Sequence, residues 1–178
     1  PGFVNAHCHL GLSALENKLS PSKTFANWIG DLVPLNAALS DEERIRAIGM
    51  GADEMKASGV TGLADYVADP ALLDSIFDLG FRSVLFLETI GFQEEKADAV
   101  AAEVEAILKN NESNYNIGIA PHAPYSVSAK LWQRLDQLAK KYGCLLSTHL
   151  AETDEEIQFI EKGRGPLVDL LKDRQVFD

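Results

Sequence analysis

The sequence predicts an α/β fold, specifically an incomplete (β/α)8 TIM barrel with about five β/α units present, and three observations predict it. Short β-rich runs bounded by Gly, Pro or Asn alternate with longer segments whose apolar residues recur at i, i+3, i+4 and i+7. Repeated β-then-α order implies parallel strands, because a parallel pair needs a helical crossover. All four histidines, His7, His9, His122 and His149, fall near the C-terminal end of a predicted strand. That is the edge where parallel α/β folds place ligands and catalysts. A doubly wound open sheet is the competing architecture, but no GxGxxG or GxxxxGKS/T follows any of the strands, which removes its phosphate-binding signature.

The elements follow from local chemistry. The first strand runs from Gly2 to His9. Ser40 then supplies an N-cap and Asp41, Glu42 and Glu43 an acidic first turn for a helix that reaches Lys56 and stops at Gly59. The second strand is Gly59 to Val67, and Asp69-Pro70 places a cap and an N1 proline ahead of a helix from Ala71 to Leu79, ended by Gly80. The third strand is Arg82 to Glu88, followed by a helix over Lys96 to Lys109 with Ala97, Val100, Val104, Ile107 and Leu108 on one face. Tyr115 to His122 forms the fourth strand, and Ser128 opens a helix through Trp132, Leu135 and Leu138 to Gly143. Cys144 to His149 is the expected fifth strand, with a helix opened by Thr153 and carrying Ile157, Phe159 and Ile160.

Composition narrows the function classes. The 178 residues are 46% hydrophobic, enough for a folded core rather than a disordered chain. A mean hydropathy of −0.06 and the lack of a long apolar run argue against a spanning helix. Sixteen basic against 27 acidic residues give a net charge of −11, which opposes a phosphate backbone or an anionic membrane, so neither nucleic acid nor a membrane is an expected partner. Cys8 and Cys144 lie far apart and make no disulfide framework, which points to a cytoplasmic location. The opening PGFVNAHCHL has no basic stretch before an apolar one and does not read as a signal peptide; a start at Pro1 suggests a segment ahead of it.

The chemistry collects at the strand ends. In His7-Cys8-His9 the two-residue period of a strand sends both imidazoles to one face and Cys8 to the other, giving half of a site for zinc or a similar ion. A histidine pair satisfied by the core or by solvent is the alternative. His149 adds a third strand-end imidazole, and Glu152 follows it by three residues. A bound divalent metal lowers the pKa of its water to about 7, giving a hydroxide that needs a proton shuttle, a role a nearby carboxylate fills. Glu152 also reads as part of the acidic start of the next helix, although Asp154, Glu155 and Glu156 suffice for its dipole. His122 sits between Pro121 and Pro124, whose fixed φ angles pre-orient it; it reads as a substrate-binding residue, with a turn histidine packed on Tyr125 as the alternative.

Three segments, PGFVNAHCHL, IAPHAPYSVS and STHLAETDEEIQF, together resemble the amidohydrolase superfamily, in the branch of cyclic amidine and aromatic deaminases and chlorohydrolases. The segments around Trp28, Glu88 and Gly163-Arg164-Gly165-Pro166 look most like a subgroup that includes aminodeoxyfutalosine deaminases and adenosine-type deaminases. The resemblance implies a (β/α)8 barrel holding one divalent metal, zinc or iron. It implies His7, His9 and His149 as metal ligands, Glu152 as proton shuttle and His122 as a substrate-binding residue. YNIGIAPHAP has no lysine to carbamylate, which disfavours the binuclear branches. The family also supplies a histidine from a sixth strand and an aspartate from an eighth, and nothing around Asp173 or Asp178 reads as an eighth strand.

The expected domain is therefore residues 1–178 as a partial amidohydrolase barrel, truncated at its C-terminal end and lacking a preceding small β-domain. The expected function is metal-dependent deamination of a purine-like or other cyclic amidine with release of ammonia, the chain as given being inactive alone. Trp28 is a candidate to stack on the ring, or else to pack in the core from an amphipathic helix. Glu88 is a candidate substrate contact, or else a loop hydrogen-bond acceptor. The alternatives are a chlorohydrolase or amide hydrolase of the same superfamily, and a non-catalytic half-barrel. Expected partners are a small-molecule substrate and either the rest of the barrel or a partner chain to cover the open sheet edges; a homo-oligomer is a further expectation.

Overall fold

The computed structural model describes residues 1–21, 23–111 and 116–176. Four strands, β1 (Phe3–Cys8), β2 (Val60–Val67), β3 (Arg82–Thr89) and β4 (Ile117–Pro121), form one sheet in sequence order, every neighbouring pair parallel. Helices α1 (Phe25–Ala37) and α2 (Asp41–Ala57) lie between β1 and β2. Next come α3 (Leu73–Phe77) before β3 and α4 (Ala97–Asn110) before β4, and then α5 (Ala129–Tyr142), α6 (Asp154–Lys162) and α7 (Pro166–Asp173). Parallel neighbours in sequence order with helical crossovers are the arrangement of a barrel wall rather than of a doubly wound sheet, whose strand order reverses.

The predicted caps are where the physics put them. Ser40 and Glu43 form a reciprocal capping box on α2. Ser128 and Thr153 accept the N3 amides of α5 and α6, and Gly143 and Gly163 end those helices in the left-handed conformation (φ 66° and 56°) that side chains disfavour. Asp69 caps a 3-10 turn, Pro70–Leu72, before the short α3, so the stretch expected as one helix is a tight turn plus a turn and a half of α-helix. The start of the fourth strand at Tyr115 and the final Asp178 lie outside the described residues.

The expected fifth strand is not a strand. Cys144–His149 runs alongside β4 in the parallel sense but makes a single isolated bridge, Ile119 with Leu146. Ile119 donates to Leu145 O (2.9 Å) and accepts from Ser147 N (3.1 Å); the ladder then needs an amide on residue 121, and Pro121 has none. His149 N bonds instead to His122 O (2.9 Å), one residue past the regular position. The proline that stiffens the His122 turn also interrupts the ladder beside it, so four strands carry the units that were expected to have five.

Three clusters fill the interior. The main one lies between the sheet and α2 to α5, around Ile48, Leu63, Leu85, Ile119, Leu131 and Leu135. On the opposite face Tyr66, Phe86 and Ala120 pack with Ala64 and Val84, where a barrel has its interior. A separate cluster joins α1, α6 and α7 through Ala26, Phe159, Leu167, Val168 and Leu171, with Ala123 and Tyr125 from the loop after β4. The sheet's lateral margins are open among the described residues: Phe3 and Val4 on β1 are each 72% exposed and Leu145 beside β4 is 59% exposed. No described helix is long and apolar enough to cross a membrane.

Candidate metal centre and active site

The parallel sheet brings His7, His9, Tyr66, Glu88, His122 and His149 to one edge, the C-terminal ends of the strands, where they line a cavity of about 770 Å³. Strand β1 is irregular just before its histidines. Asn5 pairs with Leu63 and Cys8 with Asp65, so β1 spends one extra residue, a bulge at Ala6–His7. Contacts from β2 then fix the course of the chain beyond the bulge. Asp65 Oδ1 accepts the Leu10 amide (2.8 Å) and the Cys8 thiol (3.4 Å), holding the two residues that alternate with the histidine face. Cys8 thus points away from the histidines, as strand periodicity requires.

The three predicted ligands meet. His9 Nε2 lies 3.1 Å from His7 Nε2 and 3.1 Å from His149 Nε2. A divalent ion with nitrogen ligands at 2.0–2.1 Å in tetrahedral geometry separates those nitrogens by about 3.3 Å, so the spacing fits one ion. Protonation states agree with that fit. His149 Nδ1 donates to His122 O (3.0 Å), which leaves Nε2 with its lone pair. Burial, and then the neighbouring His149, push His7 down from its ordinary pKa; burial and the surrounding histidines push His9 down to about 4. Imidazoles that give up their protons this readily can turn ring-nitrogen lone pairs toward a cation. His7 stacks on the Tyr66 ring (4.3 Å between centroids, 28° between planes), and the Tyr66 hydroxyl is hydrogen-bonded to that of Ser147. Neither Tyr66 nor Ser147 was expected at the site. A tyrosine at a strand end was a signal of the same kind as the histidines.

His122 packs edge-on against Tyr125 (5.6 Å, 88°) and lines the cavity. Ser126 Oγ donates to Ala123 O (3.1 Å), so the 2.6 Å contact between His122 Nδ1 and Ser126 Oγ uses the Nδ1 proton and leaves Nε2 as an acceptor. Burial and then His149 push His122 down to about 4, so the ring is neutral near pH 7.

Glu88 sits at the end of β3 with no loop partner on its Oε1 among the described residues. Its Oε1 is buried without a hydrogen-bond partner, 3.7 Å from His9 Nδ1 and 4.0 Å from His149 Nδ1. Burial, then Asp65 and Glu152, raise its pKa to about 7. A second convergence, Glu88 with His122 and His149, shares His149 with the first. Trp28 is half-buried on α1 and lines the cavity rather than the core, stacked on Phe25 (5.8 Å, 15°).

The acidic start of α6 is not simply a solvated dipole partner. Glu156 is 1% exposed and accepts the Glu152 amide (2.8 Å), shaping the turn at Ala151, whose φ is 56°. Nor is the Glu152 side chain unattached: the Tyr125 hydroxyl donates to its Oε2 (3.0 Å). Glu155 bonds to α1. The Glu155 and Tyr125 contacts are invisible to local sequence reading because their partners lie on other elements.

The chain is 31% identical over 176 residues to an aminodeoxyfutalosine deaminase of Deinococcus radiodurans, covering 95% of this chain and 40% of that protein. It is 29% identical over 186 residues to a 5'-deoxyadenosine deaminase of Methanococcus vannielii, covering 100% of this chain and 44% of that one. A crystal structure of Helicobacter pylori aminofutalosine deaminase in complex with methylthio-coformycin superposes with a TM-score of 0.84 at 28% identity, over 97% of this chain and 42% of that chain. The chain thus spans about two fifths of the length of these relatives, and the four-stranded sheet matches the N-terminal part of their barrel. The amidohydrolase family matches residues 1–177, and the chain belongs to that family.

Proposed function

We propose that this site serves metal-dependent hydrolytic deamination of a purine-like or other cyclic amidine, in which C–NH2 becomes C=O and ammonia leaves. The observation that carries the reading is the meeting of three Nε2 atoms, His7, His9 and His149, at 3.1 Å steps on the strand-end edge where Glu152 also lies. The names of the relatives, deaminases of adenine-containing compounds, support the substrate class. Zinc or iron suits three neutral imidazoles. When bound, such an ion supplies Lewis acidity that lowers the pKa of water.

The chain's own residues do the rest. His122 O fixes the His149 tautomer, and Tyr66 holds the His7 ring by stacking. Glu152, held on one oxygen by Tyr125, carries the proton that must reach the ring nitrogen beside the amidine carbon. His122 Nε2 orients the ring by accepting a hydrogen bond. Trp28 offers a face for it to stack on, a contact of about 0.5–1.5 kcal/mol. Glu88, with its pKa near 7, meets a polar substrate group as donor or acceptor. The apolar wall from α1 keeps bulk water out while the ring is held.

The test is ammonia release from adenosine and 5'-deoxyadenosine, and chloride release from a chlorotriazine, by metal-loaded protein in which this chain is joined to the rest of its barrel. Release from the nucleosides, lost on chelation, supports the reading. Release of chloride from the triazine alone, or turnover that survives chelation, overturns it.

A further inference from the structure

The amides of the first three residues of α1 have no carbonyl partner within their own helix, and each is satisfied by a side chain; the amide of Trp28 makes the first helical bond, to the N-cap carbonyl. Asn27 N bonds to Thr24 Oγ1 (3.0 Å) and Trp28 N to Thr24 O (3.1 Å). Phe25 N and Ala26 N bond to the two oxygens of Glu155 (2.9 and 3.0 Å), a residue in the first turn of α6. One carboxylate therefore sits at the positive ends of two helices at once, its own and α1, which favours its charge doubly. The same helix start fixes Glu152, whose amide bonds to Glu156. A second path runs through rings: Trp28 stacks on Phe25, Phe25 meets Tyr125 edge-on (6.1 Å, 87°), and the Tyr125 hydroxyl donates to Glu152.

We propose that Glu155 is a latch, a positioning residue that holds α1 and Trp28 across the cavity from the same helix start that sets Glu152. The cover over the substrate ring and the carboxylate that serves it then share one anchor. Trp28, Ile29, Leu32 and Val33 of α1 line the cavity, so releasing the first turn of α1 loosens that wall without touching the three histidines. The consequence for turnover rests on the deaminase reading; the latch itself does not.

The test is built so that the two fail separately. In a Trp132→Phe background Trp28 is the sole tryptophan. Glu155→Ala, Glu155→Gln and Asp154→Ala are compared by amide exchange at Phe25 and Ala26 and by acrylamide quenching of Trp28. Glu155→Ala should speed exchange at both amides about tenfold and raise quenching. Glu155→Gln, which keeps one accepting oxygen and the shape of the side chain, should recover part of the protection. Asp154→Ala, in the same acidic turn, should change neither. Bound metal should stay constant in all three. In the complete barrel with a nucleoside substrate, Glu155→Ala should raise KM about tenfold and lower kcat less, with Glu155→Gln between. Unchanged exchange and quenching in both Glu155 variants would overturn the latch whatever the activity. Loosened α1 with an unchanged KM would overturn its role over the substrate. A complete barrel, with this chain joined to the remaining strands, that is inactive on every substrate but shows the exchange pattern would overturn the deaminase reading and leave the latch standing.

Discussion

The histidines at the strand ends and the helices that cover them are held by different forces. His7, His9 and His122 extend from or follow directly on strands of a hydrogen-bonded sheet, over a core in which Leu85, Ile119, Leu131 and Leu135 are fully buried. The cover, α1 with α6 and α7, has its own smaller cluster and is tied down by side chains reaching helix ends: Glu155 to α1, Glu156 to the Glu152 turn, Tyr125 to Glu152. Geometry that must stay within tenths of an ångström is placed on the ladder. Geometry that must admit a substrate is placed on a few bonds, each worth about 1–3 kcal/mol.

The sharpest way to break that contrast is at the histidines. His149→Ala removes the most buried of the three imidazoles and should lower metal affinity at least a hundredfold, more than the loss of an outer partner costs, as read by competition with a chromogenic chelator. Glu152→Gln keeps the histidines and should keep the metal. It should lower kcat for deamination by about 10²–10⁴-fold, checked by ammonia release beside metal analysis.

A third prediction concerns the buried carboxylate under the β1 histidines. Burial raises Asp65 to about 6 from an ordinary 3.8, so its folded form prefers the proton. The associated stability is full below about pH 4 and is lost as pH rises through 6. Asp65→Asn does not titrate and should lose on the order of 2 kcal/mol less stability than the parent between pH 4.5 and 7.5, read by urea unfolding with chelator present. The smallest effect belongs to the cover. Tyr125→Phe deletes one hydrogen bond to Glu152 and should cost about 1 kcal/mol, a several-fold fall in kcat/KM with metal content unchanged.

Legibility in the sequence divides along the same line. Strand periodicity alone separated His7 and His9 from Cys8, and strand-end position gathered His122 and His149, because both are properties of the local chain. The caps Ser40, Ser128 and Thr153 were legible for the same reason. Pro121 was read as stiffening the histidine turn, but its missing amide also breaks the fifth strand, and that depends on which chain lies beside it. Helix α7 carried a signal that was passed over, Gly165-Pro166 ahead of Leu167, Val168 and Leu171. Glu155 and Glu156 look like any acidic first turn; the partners of Glu155 are about 130 residues away, and the Glu156 carboxylate turns back on the preceding loop.

The proposed function turns on whether His7, His9 and His149 hold one divalent ion while Cys8, between two of them, does not. X-ray absorption at the zinc edge on protein loaded with one equivalent of zinc decides it most directly. Light-atom scatterers at about 2.0–2.1 Å, with the imidazole pattern of three histidines and no sulfur, are expected. A sulfur scatterer at about 2.3 Å, or a spectrum unchanged in His149→Ala, would contradict it.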